Sequence, residues 1–354
     1  MTTLHVFVGA GGVGKTTLAA GYALALARSG ARVGLLGIDP SRRLQDALGL
    51  RLGDEPLDVP GAPGLSAAIL SPGDALRRWA AEEADETSAR RLADNPLFLA
   101  LADRLATASD VLAAARMVEW AERDPRLDHL VVDTAPGLNA IEFLRRPEQV
   151  EAFLEGRLVA VLRWVARRDR GARWATLAAG ARRLVAGLAR IGGTRLLLDL
   201  ADLLSQVHRP FERMLRRLER ARRWLPSEGA RIVLVVSARD EAGAPSAAAL
   251  GDALRALGMA PWAVVVNRAV PEAMSAELAV VDVGPLPEST AAVVRYARAV
   301  ARAQGRVIPA VAGLAPRRVA LPAEPGLEGA TRAEALSRLG ARLHAGLGVQ
   351  PGID

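Results

Sequence analysis

The chain has 354 residues, 51% of them hydrophobic, 24% charged and only 4% aromatic, a balance that excludes disorder and allows one large or two ordinary globular domains. It has no cysteine, which excludes disulfides, thiolate metal sites, iron–sulfur clusters and cysteine nucleophiles. The formal net charge of +7 is regional, because residues 151–230 alone carry 17 arginines against 8 acids, so basicity by itself does not argue for a nucleic-acid-binding chain.

In chain order, Leu4 to Val8 is a short apolar run that predicts a strand, and Gly9 to Gly14 a glycine-rich loop. A helix follows from Lys15 to Arg28 and ends at Ser29 and Gly30; Arg32 to Ile38 then forms a second buried strand, completing a βαβ unit. Leu65 to Leu70 reads as another strand, and residues 74–123 as helices interrupted near Asn95 and Pro96. Strands follow at Leu130–Asp133, Arg231–Ser237 and Trp262–Asn267, with a helix from Ala247 to Leu257 between the last two. Residues 309–329, rich in Pro and Gly, are expected to form an ordered loop across the core, and Thr331 to Leu347 a closing helix. Alternating strands and helices predict an α/β fold with a doubly wound, mostly parallel sheet. From Pro147 to Leu225 only helical periodicity is present, which predicts an inserted α-helical subdomain. The expected core therefore comprises 1–72, 126–146 and 230–354, and the helical subdomain 73–125 and 147–229. No apolar run approaches the roughly 20 residues of a spanning helix, and the amino terminus lacks a signal-like pattern, so a soluble, cytoplasmic location is expected.

Gly9-x-x-x-x-Gly14-Lys15-Thr16, straight after a strand and opening a helix, is a phosphate-binding loop in its required context. Its glycines, Gly9, Gly11, Gly12 and Gly14, let backbone amides, those of Val13 to Thr17 included, converge on phosphates at a helix N-terminus. Lys15 would bridge the β- and γ-phosphates and the Thr16 hydroxyl would bind Mg²⁺. Lys15 is the single lysine among 46 basic residues. A composition that replaces lysine with arginine almost everywhere keeps it where a slim ammonium is required. Asp133, ending the Leu130–Asp133 strand, is the candidate carboxylate for Mg²⁺, and Asp39 a second carboxylate at the same sheet edge. The plainer alternative for either aspartate is a turn or helix cap after a strand.

Three motifs in order, Gly-x-Gly-Gly-Val-Gly-Lys-Thr-Thr from Gly9, Asp39-Pro40-Ser41-Arg42-Arg43-Leu44-Gln45-Asp46, and Val132-Asp133-Thr134-Ala135-Pro136, resemble the P-loop, switch I and switch II of the ArsA-like ATPases. That family includes the arsenite-pump ATPase and the factor that targets tail-anchored membrane proteins. Glu142 to Pro147 and Gly193 to Leu225 look like its uncharacterised bacterial branch, and Leu321-Pro322-Ala323-Glu324-Pro325 also fits, so the resemblance spans nearly the whole chain. It implies ATP or ADP with Mg²⁺ as cofactors, Asp39 as the residue that orients or deprotonates the attacking water, and Asp133 as a Mg²⁺ ligand through water. It further implies Asn267 as the adenine-recognising residue, with Pro322 also at the nucleotide. The plainer alternative for Asn267 is a strand-end turn residue.

Departures from the pattern matter. The family's signature lysine, which reaches a partner's nucleotide across a dimer, is here Ala10; Arg42 replaces a usual histidine; and Gly137-Leu138-Asn139 replaces a Thr-Gly-His pattern. Without cysteine, neither a metalloid site nor a zinc-stapled dimer is expected. The implied dimer is either a homodimer, with an arginine such as Arg42 supplying the missing cation, or a heterodimer with a lysine-bearing paralogue. The arginine-rich insert has three readings: a client-binding lobe, a contact for nucleic acid or phospholipid, or a solvated face, the last being what charge runs usually are. Beside a dimeric ATP-driven switch stand two alternatives, a weakly hydrolysing regulatory subunit and a positioning ATPase of the ParA or MinD kind.

Overall fold

A computed structural model describes residues 2–38, 41–71, 73–75, 78, 109–135, 213–214, 216–239, 241–327 and 332–348. The apolar runs form an eight-stranded sheet. Its elements in chain order are β1 (Thr3–Gly9), α1 (Lys15–Arg28), β2 (Val33–Gly37), α2 (Arg43–Leu48), β3 (Leu57–Asp58), β4 (Leu65–Ile69), α3 (Ser109–Arg123) and β5 (His129–Asp133). They continue with β6 (Ala230–Ser237), α4 (Gly243–Ala256), β7 (Ala263–Ala269), α5 (Glu272–Val280), α6 (Glu288–Val311), β8 (Arg317–Pro322) and α7 (Arg332–Leu347). The strand order is β3-β4-β2-β5-β1-β6-β7-β8, parallel throughout except for the short antiparallel edge β3.

Alternate residues along each strand face opposite layers. On one side Phe7, Leu35, Val131, Val233 and Val265 pack with Leu18 and Leu26 of α1 and Leu336, Leu339 and Leu343 of α7. On the other, Val6, Leu36, Val132, Leu234 and Val264 are equally buried, with α4 against β6 and α6 against β7. Burial on both faces is why these strands read as continuous apolar runs. α1 and α7 cross with backbone against backbone: a Cβ on Gly340 would stand 1.9 Å from the Gly21 carbonyl oxygen, and one on Gly21 2.9 Å from that of Leu336. No side chain larger than hydrogen fits that crossing, so two glycines set the seat of α7 on the helix that follows the phosphate loop.

One expectation is corrected. The stretch 309–329 is not a loop throughout, because Arg317–Pro322 forms β8, paired in parallel with β7. Only Val319 and Leu321 of β8 are fully buried, so an edge strand with two inward residues is masked in sequence by flanking prolines and glycines. α5 and α6 match no predicted element either. α5 buries none of its residues, and the buried residues of α6 are all alanine or valine. Pro309 stands in the last turn of α6, whose end it foreshadows.

The chain falls into two compact units, one of Met1–Leu70, Glu119–Glu142 and Arg222–Asp354, the other of Ser71–Val118 and Phe143–Ala221. The sheet belongs to the first. In the second, Met214 and Leu218 are buried as an amphipathic helix requires, but Arg217 is buried with them while Arg216 and Arg220 are exposed. Of the expected helical subdomain, 79–108 and 147–212 lie outside the described residues, as do 136–146 of the expected core. Among the described residues no helix is long and apolar enough to cross a membrane.

The amino edge of the sheet gathers three histidines. His5 Nε2 and His129 Nδ1 are 3.2 Å apart, and the rings of His5, Tyr22 and His344 meet in sequence, edge-on at 5.1 Å and tilted at 6.0 Å. Burial holds the His5 imidazole well below its usual pKa, reinforced by the neighbouring His129, Arg231 and His344; His129 and His344 are lowered by burial too, with Asp128 opposing at His129. The same burial pushes the Tyr22 phenol up. Beside this cluster, Trp262 lies against Arg231 and Arg317, whose guanidinium carbons are 4.9 and 4.6 Å from the ring centre.

Candidate nucleotide site

The carboxyl edge is where β1 runs into the glycine loop and α1. Lys15 opens α1 yet is only 6% exposed, and its Nζ donates to the carbonyl oxygens of Gly9 (3.1 Å) and Ala10 (2.9 Å). The loop thus curls around a centrally held ammonium, the geometry a phosphate-binding loop needs. Gly14, the residue before α1, has a φ of 97°, and a Cβ there would lie 2.3 Å from Nδ2 of Asn267. Both facts demand glycine.

Asn267, near the end of β7, is buried, and its Nδ2 donates to the Val13 carbonyl at 2.9 Å while its Oδ1 accepts from the Arg268 amide at 2.9 Å. It ties β7 to the loop. This contact is a loop-positioning role that the sequence reading of Asn267 did not contain. Pro322, the last residue of β8, is half-buried and in register with Ala269.

On the other side of β1, Phe7 pairs with Asp133, and Asp133 in turn with Gly37. The Asp133 side chain is 1% exposed, and the Thr134 hydroxyl, also buried, donates to the Phe7 carbonyl at 2.8 Å. The Ile38 amide donates to the Asp133 carbonyl at 2.9 Å, which brings the end of β2 beside the end of β5. Asp39 and Pro40 lie outside the described residues, as does Gly137-Leu138-Asn139.

A cleft of about 310 Å³ opens over the loop, within the range of small-molecule sites. Gly12, Gly14, Lys15, Thr16 and Thr17 line it from the loop and α1, and Thr134 from the end of β5. Arg43, Asp46 and Ala47 come from α2, Arg268 from β7, and Leu327, Arg332 and Leu336 from the segment leading into α7. Arg332 fastens these parts together, its guanidinium donating to the carbonyls of Leu327 (3.0 Å) and Asp46. Arg43 and Asp46 lie in the Asp39–Asp46 motif; Arg268, Leu327, Arg332 and Leu336 belong to no motif read from the sequence, because only the fold brings them to the loop.

Among the described residues no group of three or more His, Cys, Asp or Glu side chains could hold a metal ion unaided. A hydroxyl at Thr16 and a carboxylate at Asp133 instead fit Mg²⁺, which takes one or two protein oxygens and completes its shell with phosphate and water.

A mostly parallel sheet, a glycine loop between its first strand and first helix, and a lysine held at the loop's centre define a P-loop α/β protein of the nucleoside-triphosphatase class. The anion-transporting ATPase (ArsA) family model matches residues 2–280, and the chain belongs to that family. It is 31% identical over 154 residues to the arsenical pump-driving ATPase of Acidiphilium multivorum, covering 42% of this chain and 26% of that protein. It is 31% identical over 152 residues to the ATPase get3 of Schizosaccharomyces pombe, covering 42% and 45%. An uncharacterised protein of Streptomyces coelicolor is 38% identical over 162 residues, covering 44% and 39%. The aligned stretches span between about a quarter and under half the length of these relatives.

Proposed function

We propose that this chain binds and hydrolyses Mg·ATP, as expected of its family. The observation that carries the reading is the Lys15 ammonium, nearly buried and held by the Gly9 and Ala10 carbonyls at the floor of a cleft that Thr16 and Thr134 also line. Lys15 would meet the β- and γ-phosphates, Thr16 and Asp133 would hold the Mg²⁺, and the amides of the Gly9–Thr17 loop would surround the phosphate chain. Held there, the Mg²⁺ would supply charge neutralisation for the phosphates. Asp39, one residue beyond Ile38, would orient or deprotonate the attacking water, Asn267 would add adenine recognition to its bond with the loop, and Pro322 would border the nucleotide. Calorimetry on Lys15→Ala tests the reading: loss of ATP and ADP binding in a folded protein is expected, because a charge-assisted phosphate contact goes, and wild-type affinity would overturn it. Asp39→Asn should keep the nucleotide and slow turnover by ~10²-fold, as loss of a general base does.

The finer reading is a dimeric switch whose helical lobe, 73–125 and 147–229, binds a client or partner protein in one nucleotide state. Arsenical pump driving belongs to the relatives' names and is not carried over, since the chain has no thiol for a metalloid. With Ala10 at the signature position, a homodimer would lack a trans cation that is worth ~10³-fold or more in phosphoryl transfer. A heterodimer with a lysine-bearing paralogue repairs one of the two sites. Mixing the two chains and following mass and ATP turnover distinguishes the assemblies. Brisk hydrolysis by this chain alone, with neither association nor stimulation, would reject the heterodimer.

A further inference from the structure

Arg268 departs from every neighbour in the site. It is the one non-glycine residue with positive φ (59°) among the described residues, and it sits where the β7–β8 register shifts between Val266 and Ala269. Asn267 and Ala269 on either side are buried, whereas Arg268 is exposed. Successive side chains of a regular strand point to opposite faces, and a bulge with a left-handed residue is what breaks that alternation. Here the break allows Asn267 to bond the loop at Val13 while the next side chain, Arg268, lines the same cleft. The guanidinium makes no hydrogen bond or ion pair among the described residues, unlike that of Arg332, which two carbonyls engage. A strained backbone that aims an unpaired cation into a cleft points to a ligand contact.

The sheet order says which part of a nucleotide that contact reaches. Thr134 and the Asp133 carboxylate stand at the end of β5, on one side of β1, and Arg268 stands on β7, two strands away on the other side. At roughly 4.8 Å per strand, Arg268 lies on the order of 14 Å across the sheet from β5, about the span of a triphosphate and ribose. A triphosphate seated on the loop with its γ end toward Asp133 therefore directs its nucleoside toward β7.

We propose that Arg268 is a base-binding residue that lays its planar guanidinium against the purine. This rests on the nucleotide-site reading and adds to it the residue that distinguishes a nucleotide from bare polyphosphate. Guanidinium planes stack on aromatic rings in a way an ammonium does not.

The test is calorimetric titration of the full chain with Mg·ATP, ADP and inorganic tripolyphosphate, using wild type, Arg268→Gly and Arg268→Lys. Glycine removes the side chain and keeps the left-handed backbone, so the fold is retained, and melting temperature checks this. In Arg268→Gly the affinities for ATP and ADP should fall alike, by roughly 3- to 30-fold as for a lost cation–ring contact, with tripolyphosphate affinity unchanged. Arg268→Lys should recover little. Equal losses for tripolyphosphate would make Arg268 a phosphate ligand, full rescue by lysine would make it a point charge, and an unchanged ADP affinity would make it a bystander; each overturns the proposal. Absence of nucleotide binding by the wild type would overturn the site reading itself, and binding by wild type with no change in the variants would overturn only the role of Arg268.

Discussion

At the carboxyl edge of the sheet, Lys15 and Asn267 are buried with their polar atoms bonded to the carbonyls of Gly9, Ala10 and Val13, while at the amino edge His5 is equally buried among rings that hold it neutral. Both ends bury titratable or amide groups, at the same depth and under the same two helices. The difference lies in what those groups are bonded to. Donors satisfied by loop carbonyls fix a loop in a conformation that is ready for an anion. Imidazoles packed against one another are stable only while uncharged, so that edge serves packing and becomes a liability in acid. Function and stability are thus separated along the strand axis, with α1 and α7 spanning both ends.

The sharpest way to break this arrangement is at the helix crossing that joins the two ends. Gly340→Val should destabilise the protein by more than about 3 kcal/mol, because a Cβ 1.9 Å from the Gly21 carbonyl can be relieved only by moving a backbone. It should also weaken nucleotide binding, since Leu336 and Arg332 of the same helix line the cleft. Thermal melting and nucleotide titration check both parts, and an unchanged melting temperature would contradict the crossing.

Next in size is Asn267→Ala, which removes the amide that β7 lends to the loop. A buried carbonyl at Val13 that loses its donor costs about 1 to 3 kcal/mol. The loss should appear as a lower denaturation midpoint accompanied by weaker ADP binding. A lower midpoint with unaltered ADP binding would separate the tie from the nucleotide site.

The amino edge gives a pH dependence of opposite character. For His5, His129 and His344 the folded pKa lies below the unfolded value of roughly 6.5, so the unfolded chain binds more protons in that window. Their contribution is complete above pH 6.5 and is lost as the pH falls toward the folded values, with His5, the most buried, contributing most. Urea unfolding at pH 7 and pH 5 measures it. His5→Phe should flatten that slope while sparing ADP affinity at pH 7.5, and an undiminished slope would assign the acid sensitivity elsewhere.

The smallest effect is expected at Glu324, whose carboxylate accepts from Arg338 and Arg342 at 2.8 Å each and is 3% exposed, while both arginines are half-exposed. Glu324→Gln should cost about 1 kcal/mol, because screening by solvent on the arginine side limits the pair. The measurement is again a denaturation midpoint, here compared at low and high salt, with the difference from wild type shrinking in salt.

Local chemistry was enough for the sequence to determine the βαβ beginning, the glycine loop with Lys15 and Thr16, and the central strands, since continuous β-branched runs and a phosphate loop are patterns within a few residues of one another. The placement of Asp133 beside that loop followed from a strand ending in aspartate, and the parallel register of β1 with β5 realises it. What only the tertiary structure decided are features whose causes lie far apart in the chain. β8 is a strand because β7 offers an edge to a segment that reads as loop. Gly340 is required because Gly21 faces it from 319 positions away. Asn267 finds Val13 across 254 residues, and Arg268, Leu327 and Leu336 meet the loop in one cleft. No periodicity carries such information, because it arises when the sheet's order brings distant strand ends to a single edge.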